Sequence, residues 1–238
     1  MTKFVQLLLQ TLTLGSLYAL IALGYTLVYG ILRFINFAHS DVVTFGAWVA
    51  FAIAGALGWA GTGSPVFAMP VVMILAMAAS AALGFTIERL AYRPLRKAPR
   101  LNVLITAIGV SLLLQNAGQL QALFGKDPVK MPRLLSEAPL VKVASVQVPW
   151  VDVALVVLTI TLVIALQWLV FRTKLGQAMR AVSWSEQTAA LMGVPVDKVV
   201  SITFMIGSAL AAAGGVLYGL KYRQLNQTAD ALWMLLGL

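Results

Sequence analysis

The chain has 238 residues, of which 61% are hydrophobic and only 11% charged, against roughly 25% charged in an ordinary soluble domain. That balance excludes a water-soluble globular protein and places the chain in a membrane. No cysteine and one histidine leave no disulfide framework and no ligand set for a zinc centre. The net charge of +9 sits in short loops between apolar runs, a pattern of membrane orientation and not of nucleic-acid binding.

In chain order, uncharged runs cover residues 4–32, 42–87, 101–125, 153–171 and 199–220. About 20 apolar residues cross a bilayer, so each run predicts one span except the second. That run is roughly twice too long for one helix, and Gly61-Thr62-Gly63-Ser64-Pro65 interrupts it with strong breaker signals. The expectation is an all-α, polytopic bundle of six transmembrane helices forming one membrane domain over residues 1–238. The first run follows Lys3 but exceeds the apolar core of a signal peptide and shows no Ala-x-Ala pattern before Gly24, so it is expected to stay as the first helix.

Between the first two spans, residues 33–41 hold His39 close to Asp41. Two readings stand for this segment: a hydrogen-bonded structural pair, or a broken helix of the kind membranes tolerate only where backbone is buried or lines a cavity. After the third span, Arg89, Arg93, Arg96, Lys97 and Arg100 face the single acid Glu88. Such a loop belongs on the cytoplasmic side. Counting spans both ways puts residues 33–41 and 172–198 inside as well, and puts the amino terminus, residues 61–64 and residues 125–149 outside.

In the fourth span, Asn102, Thr106, Gly109 and Asn116 recur at helical spacing on one face, with Gln115 and Gln119 beside them. That stripe suits either a polar solute route or hydrogen-bonded packing between helices. Asn36, His39, Asn102, Thr106 and Asn116 are therefore the candidates for the solute path or for the contacts that shape it. In the outer loop, Val141, Val143, Val146 and Val148 alternate with small or polar residues up to Pro149, which predicts a short extended segment capping the pore mouth.

Residues 176–194 read as an amphipathic loop helix, in which Ala178, Ala181, Ala189 and Leu191 alternate with Gln177, Arg180, Ser183, Glu186 and Gln187. Gly176 and Gly193 at its ends would allow tight turns. Such a helix fits a partner surface or the membrane surface. The sixth span, with Gly207, Ser208, Ala211, Ala212, Gly215 and Gly219, has the small residues of close helix packing. Catalytic chemistry is not expected. The only Gly-Lys pair, Gly125-Lys126, precedes Asp127 and is no phosphate-binding loop, and neither a serine elbow nor a zinc-protease motif occurs.

Residues 172–182, from Arg172-Thr173-Lys174-Leu175-Gly176 to Arg180-Ala181-Val182, resemble the cytoplasmic loop of LivH-type permeases of branched-chain amino acid ABC importers, as do residues 189–199, from Ala189-Ala190-Leu191-Met192-Gly193 to Asp197-Lys198-Val199. Ile35-Asn36-Phe37-Ala38-His39, residues 88–96 and residues 104–111 are similar to the same family. The resemblance implies a multi-pass permease of the bacterial inner membrane that needs no cofactor. It implies as partners cytoplasmic ABC ATPases, a second homologous permease and an extracellular or periplasmic solute-binding protein, with membrane lipid around the spans. The ATPase hydrolyses ATP, so this chain is expected to be a transport subunit and no enzyme; Gly176, Arg180, Ala189, Ala190 and Gly193 are the expected coupling residues. Related machinery for urea, short amides or other amino acids is the nearest alternative, and an ATP-independent carrier a more distant one. Two departures stand out. Ser40 follows His39 where the family has Gly, and residues 221–238 leave the family pattern where further embedded helices are expected.

Overall fold

A computed structural model describes residues 2–59, 65, 67–96, 98–121, 123–125, 127, 129–135, 139–143 and 146–225. The breaker at residues 61–64 and the tail from residue 226 lie outside the described residues. Eight α-helices carry the fold: α1 (Thr2–Leu32), α2 (His39–Ala56), α3 (Ala68–Ile87), α4 (Arg100–Gly118), α5 (Trp150–Arg172), α6 (Lys174–Trp184), α7 (Glu186–Leu191) and α8 (Val196–Tyr222). A π-helical turn, Glu88–Tyr92, and a 3-10 turn, Arg93–Leu95, prolong α3. Six helices are long and apolar enough to cross a membrane, the third extending through both turns to Leu95. The chain is thus an all-α polytopic bundle with the six spans its composition demands, because lipid offers no hydrogen bonds and helices satisfy their own backbone.

Four short strands complete the described residues: β1 (Val129–Lys130), β2 (Pro139–Val143), β3 (Val146–Pro149) and β4 (Gln224–Leu225). The alternating valines form an antiparallel ladder with Val141 opposite Val148 and Val143 opposite Val146, while β1 pairs with β4. Since successive spans alternate in direction, the strands gather at one end of the bundle and α6, α7 and the π turn at the other.

Of the six spans α8 is the most buried and α5 the least. Small residues make the burial of α8 possible. A Cβ added at Gly46 of α2 would lie 2.5 Å from Ala212 Cα, one at Gly214 would lie 2.8 Å from Ile21 of α1, and one at Gly84 of α3 would run into Ser208. Close backbone approach of this kind is how helices associate where lipid and side chain are equally apolar. Gly207, Ser208, Ala211, Ala212, Gly215 and Gly219 are all buried. Two apolar clusters flank this axis. Trp48, Met69, Leu155 and Leu217 belong to the cluster that includes strand residue Leu225, whereas Val28, Tyr92 and Phe204 pack with Met179, Val182 and Ala189 of the loop helices.

Candidate functional site

The segment between α5 and α8 folds as an elbow and not as the single helix expected over residues 176–194. Thr173 Oγ1 accepts the Gly176 amide at 3.1 Å and starts α6. Gly176, Met179 and Val182, one helical face, are buried. Ser185 then adopts extended backbone and ends α6, and its own Oγ accepts the Thr188 amide at 3.2 Å to start α7. A serine that caps one helix cannot also continue another, which is why the segment bends there. Gly193, at φ +81°, turns the chain into α8.

Gly176 serves a different purpose from the turn expected of it. It lies inside α6, and a Cβ there would collide with the carbonyl oxygens of Val170 and Leu169, so glycine permits α6 to cross the end of α5. Arg180 is also occupied within the chain. Its Nη1 donates to the Val170 carbonyl and its guanidinium lies 5.5 Å from the centre of the Phe171 ring. That bond satisfies an otherwise orphan carbonyl at the end of α5, where a cation is also favourable. Ala189 is buried against the bundle while Ala190 and Gly193 are exposed. Sequence reasoning missed the outer face: Trp184, Leu191 and Met192 are 85%, 87% and 80% exposed. Helical periodicity set Leu191 on one apolar face with the buried Ala189 and did not mark Trp184 or Met192, because the break at Ser185 changes which residues point outward.

The elbow is tied to the span ends by polar contacts. Arg33 Nη2 donates to the Ser183 carbonyl at 2.8 Å. Arg33 itself holds φ at 53°, so the backbone reversal after α1 falls there and not at Ser40, which is helical and needs no glycine. Asn36 Oδ1 accepts the Ala38 amide at 3.2 Å and the Tyr92 hydroxyl at 2.7 Å, both buried. His39 Nε2 lies 3.1 Å from the Ile21 carbonyl, which can only accept, so this nitrogen carries the proton. Both residues therefore brace the start of α2 against α1 and the π turn.

Beside them runs a charge network. Glu88, fully buried, accepts from Arg96 and from Ser201 Oγ, and Arg96 continues at 2.7 Å to Asp197, which also takes Arg93 at 2.5 Å. The network joins the end of the third span to the start of α8. A buried carboxylate is stable only with such partners. Glu88 lies inside the third span, because the π turn keeps the helix going beyond it.

The polar stripe of α4 points away from all this. Asn102 and Asn116 are exposed and Thr106 half-buried, while Val103, Ala107 and Ser111 form the buried face. Thr106 Oγ1 donates to Asn102 O at 2.9 Å and Asn116 Nδ2 to Leu112 O at 2.7 Å, so each of these bonds stays within α4. On the buried face, Ser111 Oγ donates to Asp41 Oδ2 at 2.5 Å and accepts from Gln115 Nε2 at 3.1 Å, leaving Asp41 Oδ1 unpartnered. The five path candidates thus split into two places: Asn36 and His39 inside, Asn102, Thr106 and Asn116 outside. No group of His, Cys, Asp or Glu among the described residues would hold a metal.

Comparison with known proteins agrees with this architecture. The family model for the branched-chain amino acid transport system permease component matches residues 7–237, so residues 221–237 stay within the family pattern that they were expected to leave. The permease protein LivH of the high-affinity branched-chain amino acid transport system of Salmonella typhimurium is 38% identical over 226 residues, covering 94% of this chain and 73% of the relative. LivH of Escherichia coli strain K12 is 38% identical over 226 residues, with the same shares. BraD of Pseudomonas aeruginosa is 39% identical over 230 residues, again 94% and 73%. No solved structure matches the chain. Six apolar spans and a family match over nearly the whole length make this chain a multi-pass inner-membrane permease that belongs to the branched-chain amino acid transport permease family.

Proposed function

We propose that this chain is the membrane-spanning subunit of an ATP-driven importer of branched-chain amino acids, with ATP hydrolysis on partner subunits docked at the α6–α7 elbow. The observation that carries the reading is the elbow itself. One face packs Met179, Val182 and Ala189 onto the span ends, while Trp184, Leu191 and Met192 are each more than three-quarters exposed among the described residues. Large apolar side chains exposed together fit a protein partner. The elbow end is assigned to the cytoplasm, in keeping with Arg33, Arg89, Arg93, Arg96, Lys174, Arg180 and Lys198 around it.

Movement of an ATPase against α7 would pass through Arg33 to the start of α2, and through Asp197, Arg96 and Glu88 to the third span. A second permease is assigned to α4, so that Asn102, Thr106 and Asn116 line a route shared between the two chains. A solute-binding protein is assigned to the strand end. A second reading, an ATP-independent carrier, is favoured by one observation only: Asp41 is 95% buried with one oxygen unpartnered, and intramembrane acids often serve carriers.

Uptake of labelled leucine by vesicles containing this chain, the second permease, the ATPases and the binding protein separates the readings. Uptake is expected to require ATP, and Thr106→Ala and Asn116→Ala should alter it severalfold while the protein still inserts. Leucine uptake without ATP would support the carrier, and a preference for urea or a short amide over leucine would reassign the cargo.

A further inference from the structure

A groove of about 670 Å³ opens where the π turn of the third span faces the start of α8. Its two walls repeat one arrangement. On the third span Phe85 is followed four residues later by Arg89, and on α8 Lys198 is followed by Ile202 and Met205, the same helical face. Each wall therefore sets a cation nearer the elbow end of the span and apolar side chains deeper along it. From Lys198 to Met205 the helix descends about 10 Å, a depth that lies within the hydrocarbon for a span of this length.

The cations are uncommitted. Arg93, also at the groove, is held by Asp197, but Arg89 and Lys198 meet no carboxylate among the described residues, and the Arg89 guanidinium lies 5.8 Å from the centre of the Phe85 ring. Both side chains are exposed. Ile202 and Met205 are each 36% exposed, so the floor is open to whatever surrounds the bundle. Free cations at the mouth and an apolar floor at membrane depth match one kind of molecule, an amphiphile with an anionic head. Basic pockets between membrane helices bind such headgroups.

We propose that this groove holds an anionic phospholipid, its phosphate between Arg89 and Lys198 and an acyl chain along Phe85, Ile202 and Met205. Ala190, Val194 and Pro195 of the elbow border the same groove. The lipid thereby contacts the segment assigned to ATPase docking, although the site does not depend on that assignment. A soluble anion would use the cations and leave the floor empty, and an acidic protein segment would have to enter the hydrocarbon to cover it.

Native mass spectrometry of the full chain in detergent, titrated with dioleoylphosphatidylglycerol or dioleoylphosphatidylcholine, tests the site. Wild type is expected to retain phosphatidylglycerol with a dissociation constant about tenfold below that of R89Q/K198Q, from the loss of two headgroup-facing charges. Phosphatidylcholine should bind both proteins alike. R89K/K198R keeps the charges and should retain the lipid, and the single variants R89Q and K198Q should each give part of the loss, which keeps the test decisive should the double variant not fold. Equal phosphatidylglycerol retention by wild type and R89Q/K198Q would overturn the proposal. So would an equal loss in R172Q/K174Q, which removes two nearby charges outside the groove, or displacement of the lipid by inorganic phosphate.

Discussion

Asn36 and Tyr92 form the smallest unit on which the elbow end depends. The Tyr92 hydroxyl donates to Asn36 Oδ1, which also accepts the Ala38 amide, so the two residues are not equivalent. Tyr92→Phe removes one bond and leaves Asn36 its amide, at a cost of about 1 kcal/mol. Asn36→Ala strands a buried hydroxyl and an amide together and should cost about 2–3 kcal/mol. Thermal unfolding in detergent should therefore rank Asn36→Ala well below Tyr92→Phe, with the double variant close to Asn36→Ala; equal losses would mean that the Ala38 amide bond contributes nothing. Sequence alone pointed to Asn36 and His39 and left open whether His39 pairs with Asp41 or the segment lines a cavity; Asp41 meets Ser111 instead, and Asn36 and His39 bond other elements. Their bonds to Tyr92 and Ile21 are long-range, and no local signal announces such a partner. Ser111 went unmarked for a related reason: a serine in a span usually bonds its own helix, whereas this one reaches Asp41.

At the scale of elements, the organising feature is the small-residue face of α8. Gly46→Ala sets a methyl against Ala212 with backbone beneath it, and is expected to destabilise by about 1–3 kcal/mol. Gly109→Ala on α4 meets nothing within 4 Å, and should be neutral or stabilising by at most about 1 kcal/mol. Unfolding midpoints of the two variants check the contrast, and similar losses at both positions would contradict the packing. Both glycines sit in apolar runs and look alike in sequence. The packing of span six was legible from the density of Gly, Ala and Ser, but which glycine of a neighbouring span meets it was not. Likewise the amphipathic character of residues 176–194 was legible from its polar residues. The break was not expected, though Ser185 with Thr188 three residues on carries a cap signal. The π turn has no sequence signature at all, and it is what brings Glu88 inside the third span.

For the whole molecule, the number of spans follows from the length of apolar chain that lipid demands, so it was readable from composition. The facing of each span was not. Lipid is as apolar as leucine, and a periodic polar stripe such as Asn102, Thr106 and Asn116 says only that some face is special. In the fold that stripe looks outward, on the face proposed above for a second permease. The two ends of the bundle are equally distinct: strands close one, and the elbow with its exposed Trp184, Leu191 and Met192 occupies the other.

The central claim is that this outward apolar face of the elbow carries the ATPase. Leu191→Asp/Met192→Asp alters only side chains that are more than three-quarters exposed, so insertion and the six spans should survive. Co-purification of the cognate ATPases with the affinity-tagged permease, from cells expressing both with the binding protein, measures the claim directly. The expected result is a loss of at least tenfold in recovered ATPase with unchanged permease yield, and ATPase recovered at the wild-type level from the double variant would contradict it.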